Sequence, residues 1–390
     1  MKFMKKILFL CAIHSDNMVA FLSNHSLPTS SAGQTFGRAL MTGLAKFCDL
    51  RVISEFFIPT FPKLKKIVVN REDYILDKVQ CKSISFLNVP LIKKLTQIIS
   101  YLKTIWKSSK VADAIIVYEV TSRQLLPAVL AGRNTKRIVV VPDLPEFMSS
   151  NTNPLYLLAK KIDRLFIDWA LKRMDGFVLL SPYMKEKLDI GDRPWIVVEG
   201  LFSPRDIVDQ QDKAQAKVML YTGKIEKWFG LEDLLEAFTR TKGDNYQLWL
   251  CGPGDIDMIR QYSKNDERII YKGCLSHEEV LRLQKQATVL VNPRHSSDEF
   301  TLYSFPSKTM EYMASGTPTL MSRLKSLPED YLTHLFLFED ESIDGMSKMI
   351  KKCLDMDPVL LSDFGKKASD FILLNKTAEK QAQRIVEMLL

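Results

Sequence analysis

What is missing narrows this chain first. No stretch of it approaches the roughly 18 to 20 apolar residues that a membrane-spanning helix needs. The six cysteines (Cys11, Cys48, Cys81, Cys251, Cys274 and Cys353) are scattered, with no CxxC pair and no histidine at metal-ligand spacing. They read as reduced core thiols in a reducing compartment rather than as a disulfide framework or a zinc site. No short-period repeat, heptad run or low-complexity tract is present, which excludes solenoids and coiled coils. Nor is there an Asp-x-Asp triplet in a plausible metal-binding loop, since GPGDIDM (252–258) lacks the setting; no metal and no cofactor are expected. The N-terminus MKFMKKILFLCAIHSD places lysines before an apolar run. That run, Ile7 to Ile13, is short for a secretion signal, and no small-x-small cleavage site follows promptly. The expected location is cytoplasmic, with contact at the inner face of the cell membrane left open.

What is present is ordinary globular material. Hydrophobic residues make up 46% and charged residues 26% of 390 residues, which excludes disorder and suggests two or three domains. The net charge of +8 implies a negatively charged partner without choosing among phosphate, membrane and nucleic acid. The basic residues are dispersed and no recognised nucleic-acid module appears, so nucleic acid is the weakest of the three.

Apolar runs of strand length recur at 7–13, 49–56, 113–120, 137–143, 176–181 and 195–200, with helical patterns at 35–47, 91–106, 121–131 and 156–174 between them. Such alternation predicts an α/β fold with a parallel sheet covered on both faces. Residues 203–217 are polar, contain a proline and lack an apolar stripe, so they read as a linker. A second series follows at 218–223, 246–254, 268–273, 288–294 and 317–322. Two doubly wound domains are therefore expected, over residues 1–203 and 204–376. Open parallel sheets bind ligands beyond the carboxyl ends of their strands, so the residues after each run are the ones to inspect.

The most informative block is VNPRHSSDEFTLYSFPSKTMEYMASGTPTL, residues 291–320. A strand ends near Asn292, a polar loop follows, and a helix starts around Pro306, Ser307 and Lys308. Free N–H groups at a helix N-terminus form a natural seat for a diphosphate. Lys308 stands in the first turn, where the helix dipole disfavours a cation, so an anionic ligand would compensate both. Glu311 lies on the same face, able to accept hydrogen bonds from a ribose diol. The plainer reading makes Ser307 a cap and Lys308 a solvated partner of Glu311.

FPSKTMEYMASGTP (305–318) closely resembles the donor-binding motif of retaining, family-4-type glycosyltransferases, and especially the bacterial branch that assembles capsular and exopolysaccharide units. Supporting segments are 218–238, 248–254, 271–294 and VVVPDLPEFM (139–148). The resemblance implies the GT-B architecture, with two Rossmann-like domains facing across a cleft and a last helix, 377–390, crossing back to the first. It implies a hexosyltransferase that moves sugar from a nucleotide-sugar, UDP-sugar favoured, to an acceptor that is a growing, lipid-linked saccharide of a surface polysaccharide. Carried over by position, Glu311 matches the second glutamate of the family's E-x7-E pair, which holds the donor ribose. Tyr303, Ser304, Phe305, Pro306, Ser307 and Lys308 lie along the donor loop. Gly223 and Lys224 end the first strand of the second domain, where a basic residue neutralises the diphosphate, and Gly252 marks a tight turn near the donor.

The departures are specific. The family's first glutamate falls on Tyr303, with Glu299 a neighbour able to act for it. The usual lysine-glycine pair is Phe229-Gly230, leaving Lys227 as the nearest replacement cation. The glycine-paired first-domain loop reads SSAGQTFGR, with Gly33, Gln34 and Gly37. Lys224 and Lys308, with Lys227, would stabilise the departing diphosphate, where charge develops in the transition state. Asp143 is expected near the transferred sugar, or is a turn-forming aspartate between prolines. His14 is at most a cleft-lining residue and reads better as a satisfied loop histidine; for His295, beside the donor loop, both readings stand open.

Residues 91–107 place Leu91, Leu95, Ile98, Leu102, Ile105 and Trp106 on one helical face among Lys93, Lys94, Lys103 and Lys107. With FPKLKK (61–66) this suggests a first domain that touches an acidic membrane; packing against the sheet explains the same stripe. Two rivals to the transferase remain: a nucleotide-sugar epimerase on the same fold, and a non-catalytic sugar-nucleotide-binding scaffold suggested by Tyr303.

Overall fold

The computed structural model describes residues 4–29, 31–131, 135–144, 154–203, 209 and 211–389. The end of VVVPDLPEFM and residues 204–208 and 210 of the polar segment lie outside them. The chain divides into two units, Met1–Leu201 with Ala378–Leu390, and Phe202–Thr377.

The first unit holds β1 (Lys6–Cys11), β2 (Asp49–Ser54), β3 (Val68–Val69), β4 (Asp73–Leu76), β5 (Val79–Ser83), β6 (Phe86–Leu87), β7 (Ala114–Tyr118), β8 (Lys136–Val141), β9 (Gly176–Leu179) and β10 (Trp195–Val197). Eight of them form one sheet in the order β10-β9-β8-β7-β1-β2-β5-β4, and β3 pairs β6 separately. All pairings of the large sheet are parallel except β4 with β5. The central strands are buried along nearly their whole length, which is why they read as continuous apolar runs. The strands between 68 and 87 were not expected. They are short, and β5 sets Gln80 and Lys82 between its inward-facing positions, so no apolar run announces them. Their turn, Asp77-Lys78, has positive φ at both residues (50° and 68°), the conformation that Asn-Gly usually signals. Arg38 grips Asp77 at 2.6 Å and holds this hairpin to the helix Ala32–Leu44.

That helix begins at Ala32, with Ser31 accepting a hydrogen bond from the Gln34 amide at 3.3 Å. Gly33 and Gly37 therefore stand in its first two turns rather than in a loop. The helix Ala378–Leu389 packs beside it, and Ala382 and Ile385 join Leu40, Met41 and Leu44 in the core beneath.

The second unit is built from β11 (Lys217–Thr222), β12 (Tyr246–Cys251), β13 (Ile269–Gly273), β14 (Val289–Asn292), β15 (Thr319–Ser322) and β16 (Phe336–Phe338). They form one parallel sheet in the order β13-β12-β11-β14-β15-β16. The order reverses beside β11, so the crevice beyond its carboxyl end is the topological switch point. The polar segment is anchored at its end: Lys213 Nζ donates to Ala287 O at 2.7 Å and Thr317 Oγ1 at 3.1 Å, Ala214 and Ala216 pack on the core, and Lys217 is already strand. Five of the six cysteines are buried free thiols, and Cys274 is exposed.

Candidate active site

At the switch point of the second unit the backbone does much of the shaping. Gly223 (φ 151°) and Gly252 (φ 135°) follow β11 and β12, and a Cβ on Gly252 would overlap the Gly223 carbonyl oxygen. A Cβ on Gly223 would lie 2.6 Å from Lys308 Nζ. Glycine at both positions thus leaves an uncluttered strand edge with the lysine laid against it.

Lys308 reaches that edge because its helix is pinned there. In the helix Ser307–Ala314, the Tyr312 hydroxyl accepts from the Thr222 amide at 2.8 Å and lies 3.1 Å from the Thr222 carbonyl. One turn earlier, Lys308 Nζ donates to the same carbonyl. Pro306 caps the helix without a side-chain hydrogen bond, and the first turn contains no acidic residue. The positive helix end is therefore answered by no carboxylate of its own turn. Burial lowers the pKa of Lys308, Glu311 opposes that shift, and Arg294 adds to it.

Arg294 is the residue that sequence reasoning passed over. Its guanidinium lies 4.7 Å from the ring centre of Phe229 and 5.8 Å from that of Phe300. No hydrogen bond or ion pair joins it to any described residue, and burial lowers its pKa. Phe229 occupies the expected position of the family lysine. The basic residue after β14 thus stacks on the aromatic ring that follows β11.

The other expected donor residues divide into two groups. Glu311 accepts a hydrogen bond from the buried Gln284, which leaves its second oxygen to other partners. Ser304 Oγ donates to Phe300 O at 3.0 Å, Phe305 packs on Tyr331 with ring centres 5.4 Å apart, and Ser307 is exposed at the helix start. Tyr303 is half-buried behind the short turn Glu299–Leu302. Lys224 pairs with Glu226, and Lys227 pairs with Glu232 at 2.8 Å while 60% exposed. His295 sits between Asp233 (2.9 Å) and Glu341 (3.6 Å), a local bracket.

The corresponding edge of the first unit is acidic and short of partners. Glu119 follows β7 with φ 84°, a strained value for a glutamate. Burial raises its pKa to about 7, with Arg123 opposing and Glu55 and Asp143 adding. Glu55 is buried, held by Arg123 at 3.0 Å and by Gln124 at 3.4 Å, and burial raises its pKa. Of ten buried side-chain atoms without a hydrogen-bond partner among the described residues, seven lie here, on Gln34, Glu55, Tyr118, Thr121, Ser122, Arg123 and Gln124. Gly33 is close by, since a Cβ on it would lie 3.3 Å from Glu119 Oε1. Asp143 is exposed. His14 is buried, 3.0 Å from Thr29 O and 3.1 Å from Phe57 O, and burial lowers its pKa. It ties two loops together.

Comparison with known proteins now decides the class. Residues 216–356 match the family described as glycosyl transferases group 1. The fold matches sucrose-phosphate synthase from Thermosynechococcus elongatus (14% identity, 98% of each chain, TM-score 0.64). It also matches Anabaena HepE solved with UDP (14% identity, 98% of this chain and 99% of that one, TM-score 0.64). A third match is the E. coli trehalose-6-phosphate protein solved with UDP-2-fluoro glucose (10% identity, 98% of each chain, TM-score 0.62). The chain has the GT-B fold, and its second unit carries the match to a glycosyltransferase. No curated protein sequence matches it. The sequence match covers the unit in which Lys308, Arg294 and Glu311 stand, and it names the broad group without a branch or a pathway. Among the described residues, no cluster of three or more His, Cys, Asp or Glu could hold a metal ion. No described helix is long and apolar enough to cross a membrane.

Proposed function

We propose that this protein is a glycosyltransferase that moves a hexose from a UDP-sugar to a lipid-linked saccharide of a growing surface polysaccharide, with retention at the anomeric carbon and without a metal. The observation that carries the reading is the pair of cations at the donor edge. Lys308 and Arg294 are both substantially buried, neither is matched by an ion-paired carboxylate among the described residues, and Lys308 stands at an uncapped helix N-terminus. As the sugar leaves, negative charge collects on the diphosphate, and preorganised positive groups act most strongly where that charge develops. Glu311, one turn from Lys308, would receive the ribose hydroxyls. The solved neighbours bound to UDP or a UDP-sugar analogue favour uridine. The exposed apolar and basic helices of the first unit favour a lipid-linked acceptor at the inner membrane face.

Calorimetric titration with UDP, GDP, ADP and CMP, with and without a chelator, tests this. Selective binding of UDP that survives chelation and is lost in Lys308→Ala and Glu311→Ala is expected. If the folded protein binds no nucleotide, the donor site is refuted. Nucleotide binding with neither transfer nor donor hydrolysis would favour a scaffold, for which Tyr303 in place of a carboxylate is the motivating feature.

A further inference from the structure

The first unit contains a cleft of about 1390 Å³ between the loop after β2, the helix Lys93–Ser108 and the helix Pro154–Leu171. Three features of it call for a common explanation.

Large apolar side chains on its walls face water: Leu91 is 98% exposed, Phe57 61% and Leu157 43%. Leu91 is also held at φ 69°, a left-handed conformation that a residue with a Cβ adopts only under constraint. The exposed apolar surface continues outward from the cleft at helical spacing, through Leu95, Ile99 and Trp106 on one helix and Leu158, Ile162, Leu165 and Phe166 on the other. The single apolar face expected for residues 91–107 is in fact divided, with Tyr101 and Ile105 packed inward and Leu95, Ile99 and Trp106 left outside. Water-facing apolar surface on this scale marks a binding face.

The second feature is a polar end. Thr121 and Arg123 line the cleft where β7 ends, and Thr121 Oγ1 and Arg123 Nε are buried without partners. Lys93 is held beside them by Ile58 O at 2.8 Å and Thr60 Oγ1 at 3.3 Å. Buried donors of this kind are ordinarily satisfied, and here two are open at once. The third feature is free positive charge. Lys63, Lys160 and Lys161 line the same cleft and form no ion pair with any described residue, whereas Lys94 and Arg164 are matched by Asp163 and Asp168.

We propose that this cleft binds a long-chain lipid phosphate, with its chain against Phe57, Leu91 and Leu157 and its phosphate among Arg123, Thr121 and the unpaired lysines. The proposal rests on the lipid-linked acceptor of the reading above and names where that lipid is held. A free phosphate would not use the apolar wall, and a flat protein partner would not reach the recessed atoms of Thr121 and Arg123.

Titration of the full-length protein with a long-chain polyisoprenyl phosphate in neutral micelles tests it. Geranyl phosphate, inorganic phosphate and phosphatidylglycerol vesicles free of isoprenoid serve as comparisons. The paired variants are Leu91→Gln with Leu157→Gln and Lys160→Glu with Lys161→Glu; the two leucines are exposed and the two lysines are unpaired, and unchanged UDP binding verifies the fold. Binding of the long chain at least about tenfold tighter than the short one is expected, with about tenfold loss in each paired variant. Equal affinity for inorganic phosphate, vesicle binding that needs no isoprenoid, or unaltered binding in both paired variants would overturn it. A parent protein that binds UDP but not the long-chain lipid sinks this inference alone; one that binds the lipid but not UDP sinks the donor site alone.

Discussion

The two sheets end in opposite chemistry. Beyond the second sheet the residues at the switch point are cationic and geometrically settled: Lys308 and Tyr312 both hold the Thr222 backbone, and Arg294 rests on two aromatic rings. Beyond the first sheet they are carboxylic and unsettled, with Glu119 strained, Glu55 buried and seven polar atoms unpartnered. A site for a diphosphate can be finished in advance, because its ligand always brings the same charge. On the proposed reading the first edge receives hydroxyls and a phosphate-bearing tail, and its hydrogen-bonding groups stay open until that ligand supplies partners. One fold element, the carboxyl edge of a parallel sheet, thus carries residues of opposite sign in the two units.

The comparison can be broken most severely at its backbone. Gly252→Ala forces a Cβ onto the Gly223 carbonyl at φ 135°, and a loss of about 3 kcal/mol or more in chemical denaturation is expected. An alanine variant as stable as the parent would mean that the two strand ends are not closely apposed.

Next comes the acidic edge. The folded pKa of Glu119, about 7, stands above its ordinary 4.5, so the fold favours the protonated form. Its contribution is fully present below pH 4.5 and is lost as pH rises through 7. At about 1.4 kcal/mol per unit this amounts to roughly 3 kcal/mol. Glu119→Gln should flatten the stability profile across that window and exceed the parent in stability at pH 8. An identical profile in the variant would show that Glu119 is solvated and that the edge is not under strain.

The cationic edge is expected to yield somewhat less. Lys308→Ala and Arg294→Ala should each weaken UDP binding by one to two decades, from about 1.5–3 kcal/mol for a hydrogen bond to a charged group. Because the two cations influence each other, the double variant should lose less than the sum. Full additivity would place them in separate sites. The smallest effect belongs to Lys227, which is exposed and paired with Glu232: Lys227→Ala should change UDP affinity by less than about threefold. A loss as large as that of Lys308→Ala would restore it as the replacement cation and demote Arg294.

Much of this was legible in the chain itself. Apolar runs without alternation announced buried parallel strands, and residues 289–314 announced a strand, a loop and a helix start, because burial on both faces and a helix start leave local marks. The hairpin at 73–83 left little, since its strands are only four and five residues long and its turn uses Asp-Lys. Nor did sequence order disclose that Arg294 stands on Phe229, 65 positions earlier in the chain, or that Lys224 and Lys227 would find Glu226 and Glu232. A side chain's periodicity and neighbours along the chain follow from the sequence alone, which determined the fold class and the candidate donor loop. Which charges are left unmatched depends on strands brought side by side from distant positions, and only the tertiary structure decided that.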